Sequence, residues 1–306
     1  MGEMFLLLDQ LDPSYGSYKS QHSADNAAWV IAQNAKANTG FDYNSPTGSM
    51  NFWWCDALYM AMNTYTILAQ VTGKSEYVEA AFNGYNYWKD ILYNNEYHLW
   101  NRDKATGEFE VKAPSGELAF WSRGNAWVLS ALAKQLLYLD ETQYPEIYEQ
   151  YKNDFVELAT AIKNLQREDG TWNSALCYNG WTGLDGKEIT GTAGFLYSFS
   201  VGLSLGILDF DEFFPATENA WIAISDTCVI KNDENGIKVG YMQTVGKRCD
   251  TYRNEEFSKN HTNTFGTGLV LMGASAFMRL CEDYTAPTVE NLPEAQGSVI
   301  KTYTQG

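Results

Sequence analysis

Basic residues are scarce in this chain: 21 Lys and Arg stand against 38 Asp and Glu, a formal net charge of −17. A field of that sign repels polyanions and excludes generic nucleic-acid binding, and an anionic ligand could be held only by locally placed Arg or Lys. Cysteine is sparse and scattered. The five residues Cys55, Cys177, Cys228, Cys249 and Cys281 show no CxxC spacing, which indicates neither a zinc site nor a disulfide framework and fits free thiols in a reducing compartment. His22, His98 and His261 do not fall at i, i+4 spacing, so metal ligation is not expected and a hydrogen-bonded structural role is the default. Long apolar runs are missing as well. Nothing approaches the roughly 20 consecutive apolar residues of a membrane span, and the run in "MGEMFLLLDQ" is too short for a secretory signal, with no basic residues ahead of it. A soluble, cytoplasmic protein with no membrane partner is expected.

What the chain does have is apolar and aromatic mass. At 306 residues and 45% hydrophobic content it can bury a large core. Its 10 Trp and 20 Tyr exceed what such a core needs, as surfaces that stack on sugar rings often do, although both residue types also fill cores when their polar tips find partners.

Helical periodicity dominates. "SEYVEAAFNGYNYWKDILYN" (75–94) and "EIYEQYKNDFVELATAIKNLQ" (146–166) carry apolar residues at three- and four-residue steps, and "ATENAWIAISDTCVIKN" (216–232) does so more weakly. Each is followed by a turn-rich stretch and then by a far more apolar segment that opens on small residues: "SRGNAWVLSALAKQLLYL", "TGTAGFLYSFSVGLSLGIL" and "FGTGLVLMGASAFMRL". The loop anchors recur with a period of about 70 residues, the footprint of a repeating architecture. Outer amphipathic helix, short turn, inner apolar helix describes an all-α toroid of helical hairpins. In such a toroid the inner-helix N-termini gather at one end, where free backbone N–H groups favour anionic ligands.

Helices are expected at about 22–36, 53–72, 76–93, 122–139, 145–166, 190–207, 216–231 and 265–282. Residues 1–283 read as one toroid domain and 284–306 as an irregular tail.

Taken in order, "YKSQHSADNAAWV", "FWWCDALYMA", "LWNRD", "FWSRGNAWVLSALA", "LQREDGTWNSAL", "EITGTAGFLYSFSVGLSLGIL", "GYMQTVG" and "FGTGLVLMGAS" resemble the unsaturated rhamnogalacturonyl hydrolases. That is glycoside hydrolase family 105, close to the unsaturated glucuronyl hydrolases of family 88. The resemblance implies an (α/α)6 barrel acting on oligosaccharides whose non-reducing end carries a 4,5-unsaturated galacturonic acid. It implies that an Asp protonates the double bond at C4, that water adds at C5, and that the hemiketal opens and loses the aglycone, with no metal or organic cofactor.

Carried over by position, Asp56 in "WWCDALYM" matches the acid/base and Asp25 in "HSADNAA" the second acid. Arg123 and Trp127 in "FWSRGNAW" match substrate-pocket positions, with Trp121, His22, Arg102 and Trp54 as further substrate-binding candidates. An unsaturated glucuronyl hydrolase, or a catalytically impaired sugar-binding relative, is the alternative.

Each residue also has a plainer reading. Asp56 could simply favour a helix N-terminus and Asp25 could cap one. Yet Trp53, Trp54, Leu58, Tyr59 and Met60 around Asp56 form a desolvating wall of the kind that raises a carboxyl pKa, as a general acid at neutral pH requires. Arg123 could form a structural ion pair, but a uronate needs a guanidinium, whose fork suits a carboxylate. Glu188 reads as a solvated loop acid more readily than as a pocket acid, "REDGTW" as a β-turn with a packed Trp, and "DENGIK" as a solvated turn.

The chain departs from the family pattern ahead of His22, where the family carries more helices, and between Asp25 and "FWWCD", where "NTGFDYNSPTGSMN" reads as a loop. Eight helices leave a twelve-helix toroid open toward its N-terminal side, which predicts self-association through the open edge.

Overall fold

The computed structural model describes residues 3, 6, 7, 54–103, 112, 116, 118–177, 187–232, 236–244 and 258–281. The helix expected over 22–36, with His22 and Asp25, and the tail from 284 lie outside these residues. From residue 54 on, the described residues form seven α-helices: α1 Asp56–Thr72, α2 Glu76–Leu92, α3 Ser122–Tyr138, α4 Pro145–Lys163, α5 Ile189–Ser204, α6 Phe210–Ile222 and α7 Thr264–Leu280. Two antiparallel hairpins join them, β1 Tyr93–Asn94 with β2 Leu99–Trp100, and β3 Val229–Asn232 with β4 Gly236–Val239.

The two helix types fall where their patterns place them. In α4 the buried residues are Tyr151, Phe155, Leu158, Ala159 and Ile162, a single stripe that packs inward while the rest meets water. In α5 every residue from Ile189 to Leu203 is buried, which is the mark of a helix surrounded by protein. The inner helices α1, α3, α5 and α7 stand side by side in that order, and α2, α4 and α6 back α1, α3 and α5 respectively. Two outer helices are locked by a polar brace: the Tyr85 hydroxyl on α2 donates to Asp154 Oδ2 on α4 at 2.8 Å, and Lys89 Nζ reaches the other oxygen at 2.6 Å.

The inner helices start at a common end. Cys55 Sγ before α1 lies against Gly124 of α3, Ser122 of α3 against Gly191 of α5, and Thr190 of α5 against Gly266 of α7. Further along, the Ser130 and Ser198 hydroxyls of α3 and α5 meet at 3.1 Å. The outer members of the row also touch, because the Tyr59 hydroxyl of α1 donates to Met272 Sδ of α7 at 3.3 Å. A segment from the start of the chain enters the same interior. Leu6 is buried in the core, and Glu3 accepts a hydrogen bond at 2.7 Å from Lys134, a buried lysine in mid-α3 whose Nζ sits 4.5 Å from the Tyr59 ring centre.

Three local expectations need correction. The helix expected over 216–231 begins at Phe210, since the Asp209 side chain caps it by accepting from Glu212 N–H at 2.9 Å and Pro215 is accommodated within it. It ends at Ile222 in a π-helical turn, Ala223–Cys228, after which residues 229–232 are drawn into β3. Residues 236–238 of "DENGIK" are likewise strand, not turn. "REDGTW" is as expected, with Gly170 N–H bonded to Arg167 O at 2.9 Å, Gly170 at φ 80°, and Trp172 fully buried.

The close approach of α3 and α5 gives a direct test. A Cβ placed on Gly191 would stand 1.9 Å from Ser122 Oγ and 2.9 Å from its Cβ. Gly191→Ala should therefore cost roughly 1–3 kcal/mol in denaturant unfolding. Ser122→Ala in the same chain should recover part of that loss, because the buried Ser122 hydroxyl has no hydrogen-bond partner among the described residues.

Candidate active site

A helix that starts inside protein has backbone N–H groups that water cannot satisfy. Here the connecting segments meet that demand by running past one another as a rim across the inner-helix N-termini. Trp54 bridges Asp103, Trp121 bridges Ala175, and Trp172 bridges Glu188. Ile189 N–H bonds to Tyr241 O at 3.0 Å, and Tyr241 N–H to Ser258 O at 2.8 Å.

Asp56 is the first residue of α1, half-buried at this rim. Cys55 N–H bonds to Arg102 O at 2.8 Å, which brings the Arg102 strand beside it. Asn125 pins that strand to α3: its Oδ1 accepts from Trp100 N–H at 2.8 Å while its Nδ2 donates to Trp100 O and Trp121 O, both at 3.0 Å. Two guanidinium groups then share one ring, with Arg102 5.3 Å and Arg123 4.6 Å from the centre of Trp121. Burial raises the Asp56 carboxyl above the ordinary carboxylate range, against the opposing pull of Arg102 and Arg123. The Cys55 thiol is itself held well above its usual value, by burial first and then by Asp56, so it stays protonated and donates to Asp56 Oδ2 at 3.6 Å.

The two arginines are used differently. Arg123 is 3% exposed, and its terminal nitrogens donate to Thr190 Oγ1 at 3.1 Å, Gln243 O at 3.0 Å and Thr244 O at 3.0 Å. Its charge acts on Asp56 while most of its fork is occupied by protein. The Arg102 side chain is 24% exposed, pairs with Asp103, and keeps a buried Nε–H without a hydrogen-bond partner among the described residues. Of the two it is better suited to take a ligand carboxylate.

Among the aromatic candidates, Trp121 is buried and donates its indole N–H to Gln243 Oε1 at 2.7 Å, so it supports the arginines from within. Trp54 is 38% exposed. Trp127 is half-buried, 4.6 Å from the Tyr59 ring. The structure thus brings Asp56, Arg102, Arg123 and Trp121 together.

Three members of the rim were not read from the sequence. Asn125 binds its side-chain amide to the backbone of Trp100 and Trp121, and Gln243 uses its own backbone as well as its side chain, partnerships that no sequence pattern announces. Glu188, read above as a solvated loop acid, is fully buried and caps α5, accepting from Thr190 N–H at 3.1 Å and Gly191 N–H at 2.8 Å. Glu is not among the favoured N-cap residues, and that hid it. The available signal was an acid placed directly before a helix of small and apolar residues. His261 has the structural role assumed for it, with Nδ1 2.5 Å from Met242 O and Nε2 3.3 Å from Thr244 Oγ1.

The raised Asp56 carboxyl has a consequence for stability. A carboxyl whose folded-state pKa lies above its unfolded value adds stability at low pH and loses it as the pH rises through the folded value. Asp56→Asn should melt at a higher temperature than the parent at neutral pH, and the difference should shrink as the pH is lowered. Parallel thermal melts across acid and neutral pH check this.

Comparison with known proteins gives the family. Residues 2–281 match the model of Glycosyl Hydrolase Family 88. A curated relative from Formosa agariphila named unsaturated 3S-rhamnoglycuronyl hydrolase is 33% identical over 251 residues, 79% of this chain, and the chain spans 62% of that relative's length. A solved structure described as a glycosyl hydrolase family 88 protein from Bacteroides vulgatus is 28% identical with a TM-score of 0.74, covering 92% of this chain and 73% of its own. One described as a polysaccharide lyase is also 28% identical, with a TM-score of 0.75, covering 93% of this chain and 73% of its own. With a toroid of inner and outer helices, a carboxyl at the rim and a family match over nearly all of its length, the chain belongs to glycosyl hydrolase family 88.

Proposed function

We propose that the chain is a glycoside hydrolase that removes a 4,5-unsaturated uronate from the non-reducing end of an oligosaccharide, with Asp56 as proton donor. The observation that carries this reading is the Asp56 carboxyl itself: raised by burial, at an inner-helix N-terminus, beside two guanidinium groups. A group that must deliver a proton near neutrality needs such a raised value, and a uronate substrate needs positive charge beside it.

In this reading the part-exposed Arg102 guanidinium holds the C6 carboxylate, and Arg123 supplies charge from below. Asp56 gives its proton to C4, and the positive charge that develops is shared between C5 and the ring oxygen. The resulting carboxylate takes a proton from water as the water oxygen bonds to C5. The hemiketal opens, and the acetal carbon, now a hemiacetal, releases the aglycone. Asp25, outside the described residues, is retained as the second acid, with His22, Trp54 and Trp127 as sugar contacts.

The sugar beyond the uronate is rhamnose in this proposal. Rhamnose follows from the rhamnogalacturonyl resemblance, and the name of the Formosa agariphila relative also contains it. Unsaturation makes C4 and C5 planar, so galacturonate and glucuronate lose their difference at C4. Discrimination must then come from the linkage and the aglycone. Assays on disaccharides that join this one unsaturated uronate to rhamnose through the linkage of a galacturonate parent or that of a glucuronate parent separate the two.

A lyase reading, suggested by the name of one structural relative, makes the opposite optical prediction. Hydration consumes the conjugated double bond and its ultraviolet absorbance falls, whereas elimination from an intact polyuronate creates the bond and absorbance rises. We expect a fall with unsaturated disaccharide and no rise with intact polymer; the reverse would overturn the proposal. Asp56→Asn should lower kcat by at least about a hundredfold. Arg102→Ala should raise KM roughly tenfold or more, as the loss of a charged hydrogen bond predicts, with a smaller change in kcat.

A further inference from the structure

Glu188 has more partners than a helix cap requires. Beyond the two backbone N–H groups of α5, its Oε1 accepts from the Thr190 hydroxyl at 2.6 Å and from Gln243 N–H at 3.3 Å. The same two residues hold Arg123: Thr190 Oγ1 accepts from Nη1 at 3.1 Å and Gln243 O from Nη1 at 3.0 Å. The bonds close into a ring of Glu188, Thr190, Arg123 and Gln243. Glu188, Thr190 and Gln243 are fully buried and Arg123 almost so. The Thr190 hydroxyl spends its proton on Glu188 and its lone pair on Arg123, so the carboxylate and the guanidinium are joined through one oxygen. Gln243 also accepts from the Trp121 indole at 2.7 Å, which ties the ring to the aromatic plate under both arginines.

We propose that Glu188 is a positioning residue and counter-charge for Arg123: through Thr190 and Gln243 it fixes the guanidinium and limits the pull that guanidinium exerts on the Asp56 proton. The proposal rests on the reading in which Asp56 is the proton donor.

Two buried groups of opposite charge linked by short hydrogen bonds attenuate each other's field at a third point. An unbalanced Arg123 would stabilise the Asp56 carboxylate more strongly and deprive the enzyme of its acid at neutral pH. Among the described residues, the groups that face Asp56 from neighbouring elements are Cys55 before α1, Arg102 with its partner Asp103 after β2, and Arg123 on α3. Around Glu188 stand Arg123, Cys228, Lys187 with its partner Asp169, and, beyond Met242 and Thr244, His261. Glu188 is the anion that these hydrogen bonds join to the residues holding Arg123.

The test compares pH profiles of kcat/KM on the unsaturated disaccharide for the parent, Glu188→Gln and Glu188→Asp, with thermal melts of each. Asp56 must be protonated to act, so activity falls as pH rises through its pKa and the alkaline limb reports it. Removing the Glu188 charge frees the field of Arg123 and lowers that pKa. The alkaline limb of Glu188→Gln should move to lower pH by roughly half a unit to one unit. Glu188→Asp keeps the charge at shorter reach, and its limb should stay in place while kcat/KM drops.

A cap that only supports the helix would lower melting temperature and kcat while leaving the limb of Glu188→Gln unmoved, and that result overturns the proposal. Should Glu188→Gln fail to fold, Glu188→Asn decides: it removes the charge while offering a favoured helix cap, so its alkaline limb should move to lower pH, and an unmoved limb overturns the counter-charge role. A parent chain with no turnover rejects the hydrolase reading itself, an outcome distinct from active variants whose limbs do not differ.

Discussion

Four helices begin inside protein at one level, and the backbone N–H groups of their first turns must find partners where water is scarce. Most of what lies at the rim follows from this demand. The described residues just before three of the inner helices, Trp54, Trp121 and Glu188, each form a short bridge to another segment, so backbone groups at those helix starts are satisfied by neighbouring chain. A rim tied in this way holds side chains firmly, and Asp56, Arg102 and Arg123 take their positions from it. Small residues at the helix starts make the level possible, since Gly191 admits Ser122 and Gly266 admits Thr190.

The site works against the stability of the scaffold that holds it. Burial raises the Asp56 carboxyl, and the two arginines oppose the rise. A cheaper arrangement would let the arginines prevail and leave a plain ion pair. Instead the Arg123 fork is spent on a hydroxyl and two carbonyls, and Arg102 is paired with Asp103. Positive charge thus stands beside Asp56 without being fully committed to it.

The helices were legible in the sequence because their burial is periodic. The stripe of α4 and the unbroken apolar run of α5 each report an environment, and together they gave the toroid. Boundaries were missed where a single local contact decides them: Asp209 moves the start of α6 ahead of Pro215, and pairing with residues 236–239 turns the far end of the expected helix into β3. In the candidate site, Asp56 and the arginines stood out as candidates because they lie in recognisable blocks, and the structure places them near one another. Asn125 and Gln243 could not, since their roles depend on backbone groups from segments distant in sequence. Glu188 was visible but misjudged, because an acid beside Thr and Gly looks like surface until the fold buries it. Trp121 was read as a sugar contact, and its burial against Gln243 gives it a supporting place instead.

The Glu3–Lys134 pair spans 131 residues of sequence. It cannot form until α3 has been synthesised, so Glu3 must wait for its partner while α1 and α2 emerge and pair with each other. Contacts of such long range are made late and close slowly. The interior lysine therefore ties Glu3 to a helix made much later, and that gives the molecule an order of assembly as well as a shape.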